Sequence, residues 1–395
     1  MAKRPLRRQE ARTYQETHPW IQFGHDLRGA PASLWMMFGE ARSKCDHIAG
    51  VPLAPNEAAK LYEIYLSKGV HATTSIEGNT LSEQQVRQQV EGRLILPRSQ
   101  EYLAIEVQNV IDACDQIRGI LKAEPKLKLT PELICRFNAL VLRGLESDDH
   151  VRPGEYRTQS VGVASYRGAP WEDCPYLVER MCDWLNTEFE PKDDDWKFSV
   201  TLLKPIFAHL YIAWIHPFGD GNGRTARLLE FLLLAQSGVP LPAAHLLSNH
   251  YNKTRDRYYA GLDRSSKAAD GVVRFVSYAL EGFVDGLNEQ LDYIRNQQLQ
   301  VTWVNYVHTV FREKTTSAFQ RQKHLILDMP DEPVHRKNLV HVSPRVAEAY
   351  AGTGEKTLVR DIKALLELQL LAKIGDGYIA NKALILAFLP PRYEA

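Results

Sequence analysis

His216-Pro217-Phe218-Gly219-Asp220-Gly221-Asn222-Gly223-Arg224-Thr225-Ala226-Arg227 brings an imidazole, a carboxylate, three glycines and two arginines into one short run. The apolar segment Phe207 to Ile215 precedes it and reads as the end of a helix. Leu228 to Ala235 follows and reads as the body of the next one. The run is therefore a helix-to-helix loop that leads into a helix N-terminus.

That position suits phosphate chemistry. The first N–H groups of a helix have no intrahelical partner, and the macrodipole adds about half a positive charge there. Gly221 and Gly223 let the backbone come close to an anion. Arg224 and Arg227 fall on neighbouring positions of one helix face and can clamp it. Asp220 offers a hard oxygen to Mg²⁺, which prefers one or two carboxylates plus substrate phosphates. His216, with an ordinary pKa of roughly 6.5, can accept a proton from a hydroxyl at neutral pH. A tight turn with solvated arginines draws on the same residue types. A Walker-type loop does not fit, because Gly-Lys-Ser/Thr is missing and a helix leads in instead of a strand.

The stretch resembles the signature of the Fic family, His-Pro-Phe-x-Asp/Glu-Gly-Asn-Gly-Arg-x-x-Arg, and matches it at every specified position from His216 to Arg227. The resemblance implies a mainly α-helical Fic-type domain with a small β-hairpin flap. It also implies transfer of AMP from ATP onto a hydroxyl of a target protein. By that resemblance His216 is the base and Asp220 holds Mg²⁺. Gly221, Asn222, Gly223, Arg224, Thr225 and Ala226 line the phosphate cradle, and Arg227 takes the γ-phosphate. Doc-type relatives that phosphorylate carry Lys where this chain has Gly223.

Thr73-Thr74-Ser75-Ile76-Glu77-Gly78-Asn79 reads by itself as a helix end, where Gly78 or Asn79 can take the left-handed conformation. Glu77 would sit unfavourably near a negative helix terminus, which is a reason to look for a cationic partner. Many Fic proteins carry Ser/Thr-x-x-x-Glu-Gly/Asn on an inhibitory helix, matched here by Thr73, Glu77 and Gly78. The resemblance implies that Glu77 pairs with Arg227 and blocks productive γ-phosphate binding, within one chain.

Residues 152–166 place a Pro153-Gly154 turn before the β-prone run Val161 to Val163. They are similar to the Fic flap, which aligns a target backbone by strand addition. Val163, Ala164, Ser165 and Tyr166 are its candidate nucleotide contacts. Tyr258 and Tyr259 fall where family members surround adenine and ribose, although tyrosines at helical spacing serve a core equally well. Ser266 stands where many relatives carry an Asn that touches the base.

Helical spacing continues on both sides. It predicts helices over 34–48, 58–68, 102–121, 176–189, 198–215 and 270–294, with Gly50 and Gly69 as stops. Ser82 and Thr130-Pro131 mark further helix starts. At 395 residues the chain has room for two or three domains. The expected division is an N-terminal helical region 1–64, a Fic domain 65–295 and a C-terminal domain 300–395. Within the second, the inhibitory segment spans 73–78, the flap 160–170 and the catalytic loop 216–227.

In the last region, 355–368 reads as an amphipathic helix with Leu358, Ile362 and Leu365 on one face. Two short strands flank Gly375-Asp376-Gly377, so the region resembles a winged helix. Its helix charges are balanced, which favours a protein partner or a dimer-positioning role over DNA.

Lys+Arg and Asp+Glu both total 48, so bulk charge points to neither nucleic acid nor membrane. Five cysteines without Cys-x-x-Cys spacing fit a reducing cytoplasm. No apolar run is read as reaching about 18 residues, so no membrane span is expected. The expectation is an autoinhibited, cytoplasmic protein adenylyltransferase. It would use ATP and Mg²⁺ on a Ser, Thr or Tyr hydroxyl of a target protein or of the chain itself. Two other readings stay open: a phosphodiesterase that removes AMP at the same site, and a nucleotide-sensing DNA-binding regulator.

Overall fold

The two apolar runs that flank the 216–227 loop do become helices, and one of them is the centre of the fold. The computed structural model describes residues 12–24, 26–146, 148–163, 166–190 and 197–386. The chain divides into two units, Met1–Leu291 and Asp292–Ala395.

In the first unit, α1 Thr13–Thr17, α2 Ala32–Gly50, α3 Pro55–Ser75, α4 Glu83–Val90, α5 Glu101–Ala123 and α6 Pro131–Val141 come first. An antiparallel hairpin follows, β1 Gly162–Val163 with β2 Tyr166–Arg167. Next are α7 Cys174–Glu188, α8 Lys197–Ile215, α9 Asn222–Gln236, α10 Leu246–Lys253 and α11 Arg255–Lys267. α12 opens at Gly271 and runs to Val310, so the division between units falls inside it.

Leu228, Leu229 and Phe231 to Leu234 bury every face of α9. An all-round apolar helix belongs in a core, and α9 packs against α8, α6, α5 and α3. α8 is long and apolar enough to cross a membrane by length and composition, which the sequence reading did not expect. Its window is 67% buried against the rest of the chain, as in a core helix.

Local signals account for most boundaries. Ser82 accepts from the Gln85 N–H while the Gln85 side chain accepts from Ser82 N–H, a capping box. Thr130 accepts from Leu133 N–H ahead of Pro131. Gly69 was expected to end its helix, yet α3 continues to Ser75. A Cβ at Gly69 would lie 2.3 Å from His245 Nδ1, so the glycine serves close packing and not termination.

The second unit holds the end of α12, then α13 Ser317–Leu327, β3 Val334–His335, α14 Pro344–Tyr350 and α15 Glu355–Glu367. β4 Leu371–Ile374, β5 Gly377–Ala380 and α16 Ala383–Leu386 complete it. The expected hairpin pairs β4 with β5, and β3 adds to the far edge of β5 in antiparallel order β3-β5-β4. Leu358, Ile362 and Leu365 of α15 meet Leu325, Ile326, Leu339 and Val346 in its core. Asp361 is fully buried there. It accepts from Gln322 Nε2 (2.9 Å), Tyr350 Oη (3.1 Å) and Arg321 Nε (3.2 Å), joining α13, α14 and α15 through one carboxylate.

Candidate active site

The loop between α8 and α9 is held by side chains from outside it as much as by its own sequence. Asn222 closes it: Oδ1 accepts from Phe218 N–H (2.9 Å) and Nδ2 donates to Phe218 O (2.8 Å). Gly221, at φ +76°, caps α9. Asn138 of α6, fully buried, donates to Asp220 O (2.9 Å) and accepts from Gly154 N–H (2.9 Å). Arg157, also buried, donates through Nε to His216 O (2.7 Å) and through Nη1 to Gln159 O (2.7 Å). Its Nη2 bonds Ala169 O, so one guanidinium staples both ends of the hairpin region to the start of the loop. His216 carries φ +50°, a conformation that is uncommon for a residue with a side chain.

A cavity of about 470 Å³ opens beside this loop. Its wall includes His216, Asn222, Gly223, Ala226 and Arg227 from the 216–227 stretch, Ile76 and Glu77 after α3, and Tyr166 from β2. Burial pulls the His216 pKa down to about 4, with the nearby Arg157 charge adding to the effect. The imidazole is therefore neutral at pH 7 and able to take a proton.

Both arginines are committed to carboxylates. Arg227, almost fully buried, donates to Thr73 O (3.0 Å) and is paired with Glu77 Oε1. Thr73 thus acts through its carbonyl. Gly78 takes φ +102° just beyond, which allows the turn that presents Glu77. Arg224 donates to Glu106 Oε1 (2.8 Å) and Asp220 Oδ2 (3.0 Å). The Nε groups of Arg224 and Arg227 are buried without an acceptor.

A Cβ at Gly223 would lie 2.2 Å from Glu77 Oε1, so that carboxylate fills the space the missing side chain leaves at the α9 N-terminus. Orphaned guanidinium N–H groups, free helix N–H groups and the cradle that Glu77 fills fit a phosphate chain. Among the described residues no cluster of three metal-ligating side chains occurs. Asp220 is half exposed at the loop edge, and one hard carboxylate completed by substrate phosphates is an arrangement Mg²⁺ accepts.

Several expected contacts sit elsewhere. Thr225 is fully buried with its hydroxyl toward Asn138 (3.4 Å), and Gly221 faces Asn138 and Leu142; neither lines the cavity. Tyr258 and Tyr259 both line it. Tyr258 is also core: its hydroxyl is 2.8 Å from His209 Nε2 and its ring stacks on Tyr251. Tyr259, partly exposed, donates to Ile76 O (3.4 Å) and ties α11 to the segment after α3. Tyr166 donates to Trp214 O (2.8 Å). Ala164 and Ser165 lie outside the described residues, as does the side chain of Val163. The sequence reading did not single out His209, Ala213, Trp214, Leu262 and Asp263 as cavity wall, nor Arg157, Asn138 and Glu106 as its supports.

Residues 128–234 match the family model described as Fic/DOC family. Over that span the chain is similar to a Fic domain. The sequence is 33% identical over 204 residues to protein adenylyltransferase fic-1 of Caenorhabditis briggsae, covering 49% of this chain and 35% of that protein. It is 31% identical over 177 residues to protein adenylyltransferase Fic of Drosophila willistoni, 43% of this chain and 32% of that one. The match thus spans about a third of the length of these relatives. Fic-1 of C. elegans superposes with a TM-score of 0.53 at 25% identity, over 67% of this chain and 74% of that one. A Fic family protein from Desulfovibrio desulfuricans G20 shares the fold, with a TM-score of 0.52 at 20% identity over 87% and 95% of the two chains.

Proposed function

We propose that this protein is an adenylyltransferase that restrains itself through Glu77. The observation that carries the reading is the Glu77 carboxylate, seated on Arg227 and in the Gly223 cradle where a phosphate would otherwise lie. With Glu77 withdrawn, the α9 N-terminus, Arg224 and Arg227 bind the β- and γ-phosphates of ATP and fix the α-phosphorus near His216. Neutral His216 takes the proton of an acceptor Ser, Thr or Tyr hydroxyl as its oxygen bonds to the α-phosphorus. The bond from the α-phosphorus to the bridging oxygen breaks, and pyrophosphate leaves. Asp220 is the residue that would hold Mg²⁺, which supplies positive charge to the phosphates and the departing pyrophosphate. The β1–β2 hairpin, held by Arg157, is the surface we assign to the target backbone.

The test is incorporation of label from α-labelled ATP into protein by wild type, Glu77→Gly and His216→Ala. Strong label in Glu77→Gly, weak label in wild type and none in His216→Ala is the expected result. The phosphodiesterase reading makes the opposite demand, since Glu77 would then orient water and its removal would abolish turnover. For the second unit we propose a winged-helix module that engages protein. Salt-sensitive binding of the full chain to duplex DNA would count against that assignment.

A further inference from the structure

On the basis of the transferase reading, we propose that Glu106 of α5 is a positioning residue for the divalent cation at Asp220, acting through Arg224. Arg224 carries one positive charge between two carboxylates, Glu106 Oε1 at 2.8 Å and Asp220 Oδ2 at 3.0 Å. The two partners differ in exposure and in what holds them. Glu106 is largely buried and held from behind by Asn79, whose Nδ2 donates to Glu106 Oε2 (2.8 Å) and to Leu103 O (3.0 Å). Asn79 is in turn fixed by the Leu81 N–H, which donates to its Oδ1 (3.0 Å). Asp220 is half exposed on the loop.

Glu106 therefore compensates the buried guanidinium permanently, and Asp220 is the partner able to leave it for a cation. Remove the Glu106 charge and Asp220 is the only protein carboxylate left to Arg224, alongside any bound phosphates. A buried charge left with one partner holds it more tightly, so the cation must compete for that carboxylate. Glu106 is not part of the cavity wall, which makes its effect indirect.

The experiment compares full-length Glu77→Gly, Glu77→Gly/Glu106→Gln and Glu77→Gly/Glu106→Asp. Half-maximal Mg²⁺ for AMP transfer is measured at saturating ATP. Mn²⁺ affinity is measured separately by electron paramagnetic resonance with α,β-methylene-ATP bound, without turnover. Glu106→Gln is expected to raise the Mg²⁺ requirement roughly tenfold, with kcat recovered at high Mg²⁺, and to weaken Mn²⁺ by the same factor. Glu106→Asp keeps the charge one methylene back and is expected to shift both in the same direction by less; it carries the test should the glutamine variant fail to fold. An unchanged cation requirement and Mn²⁺ affinity in the folded variants, or a loss of kcat that Mg²⁺ does not recover, overturns the role of Glu106. Absence of transfer in Glu77→Gly itself would instead remove the transferase reading, while the Mn²⁺ titration still decides on Glu106.

Discussion

His216 can serve as the proposed base because its surroundings keep it uncharged. With its pKa lowered to about 4, the acid limb of kcat/KM is expected near pH 4 and not near 6.5, measured on Glu77→Gly so that activity is high enough to follow. His216→Ala is expected to remove transfer and leave ATP binding by calorimetry within about threefold, since the phosphate cradle does not include the imidazole. Glu77→Gly frees Arg227 and the Gly223 space together. If misplacement of the γ-phosphate costs ~3 kcal/mol in the transition state, the rate rises about a hundredfold. The placement of these two residues at the site was legible in the sequence because each comes with neighbours at fixed spacing. Arg157, Asn138 and Glu106 were not. Each acts on a partner far away in the chain, such as Asn138 on Asp220 or Glu106 on Arg224, and no local pattern announces such a bond.

At the level of elements, the site is three helix termini and a hairpin brought to one place by α9. Helix starts were readable from Ser82 and Thr130, whose side chains accept from the backbone as capping chemistry requires. Gly69 was misread because glycine marks close packing as readily as it marks a stop, and only the tertiary neighbour His245 separates the two. β3 is two residues long and takes its partners from 42 and 44 positions downstream, too little pattern for any strand signal. The loop is expected to depend on α6: Asn138→Ala removes the partner of the part-buried Gly154 N–H and Asp220 O, a loss of about 1 kcal/mol or more that calorimetric melting would register. Gly223→Ala in the Glu77→Gly background fills the cradle beside Arg227 Nη1, 3.1 Å away. Transfer is expected to fall about a hundredfold while the melting temperature holds.

Over the whole molecule, among the described residues, burial lowers five histidines: His216 and His250 to about 4, His245 to about 3, and His18 and His71 in the same direction. Each binds a proton in the unfolded chain near pH 6.5 but not in the native one until below it. Stability is therefore full above about pH 6.5 and is lost as the pH falls toward 4. Fully buried His245 alone contributes a slope of up to about 1.4 kcal/mol per pH unit. Urea melts at pH 7, 6 and 5 would show it, and a flat midpoint would contradict the burial. Finally, Glu77 and Arg227 belong to one polypeptide, so their contact neither weakens on dilution nor saturates. In the proposed mechanism ATP would compete with a tethered rival whose local concentration is fixed by the fold. If one molecule in about a hundred is open, half-saturation for productive ATP rises about a hundredfold. Under the proposed reading, the response to ATP would be set by the stability of a single helix end.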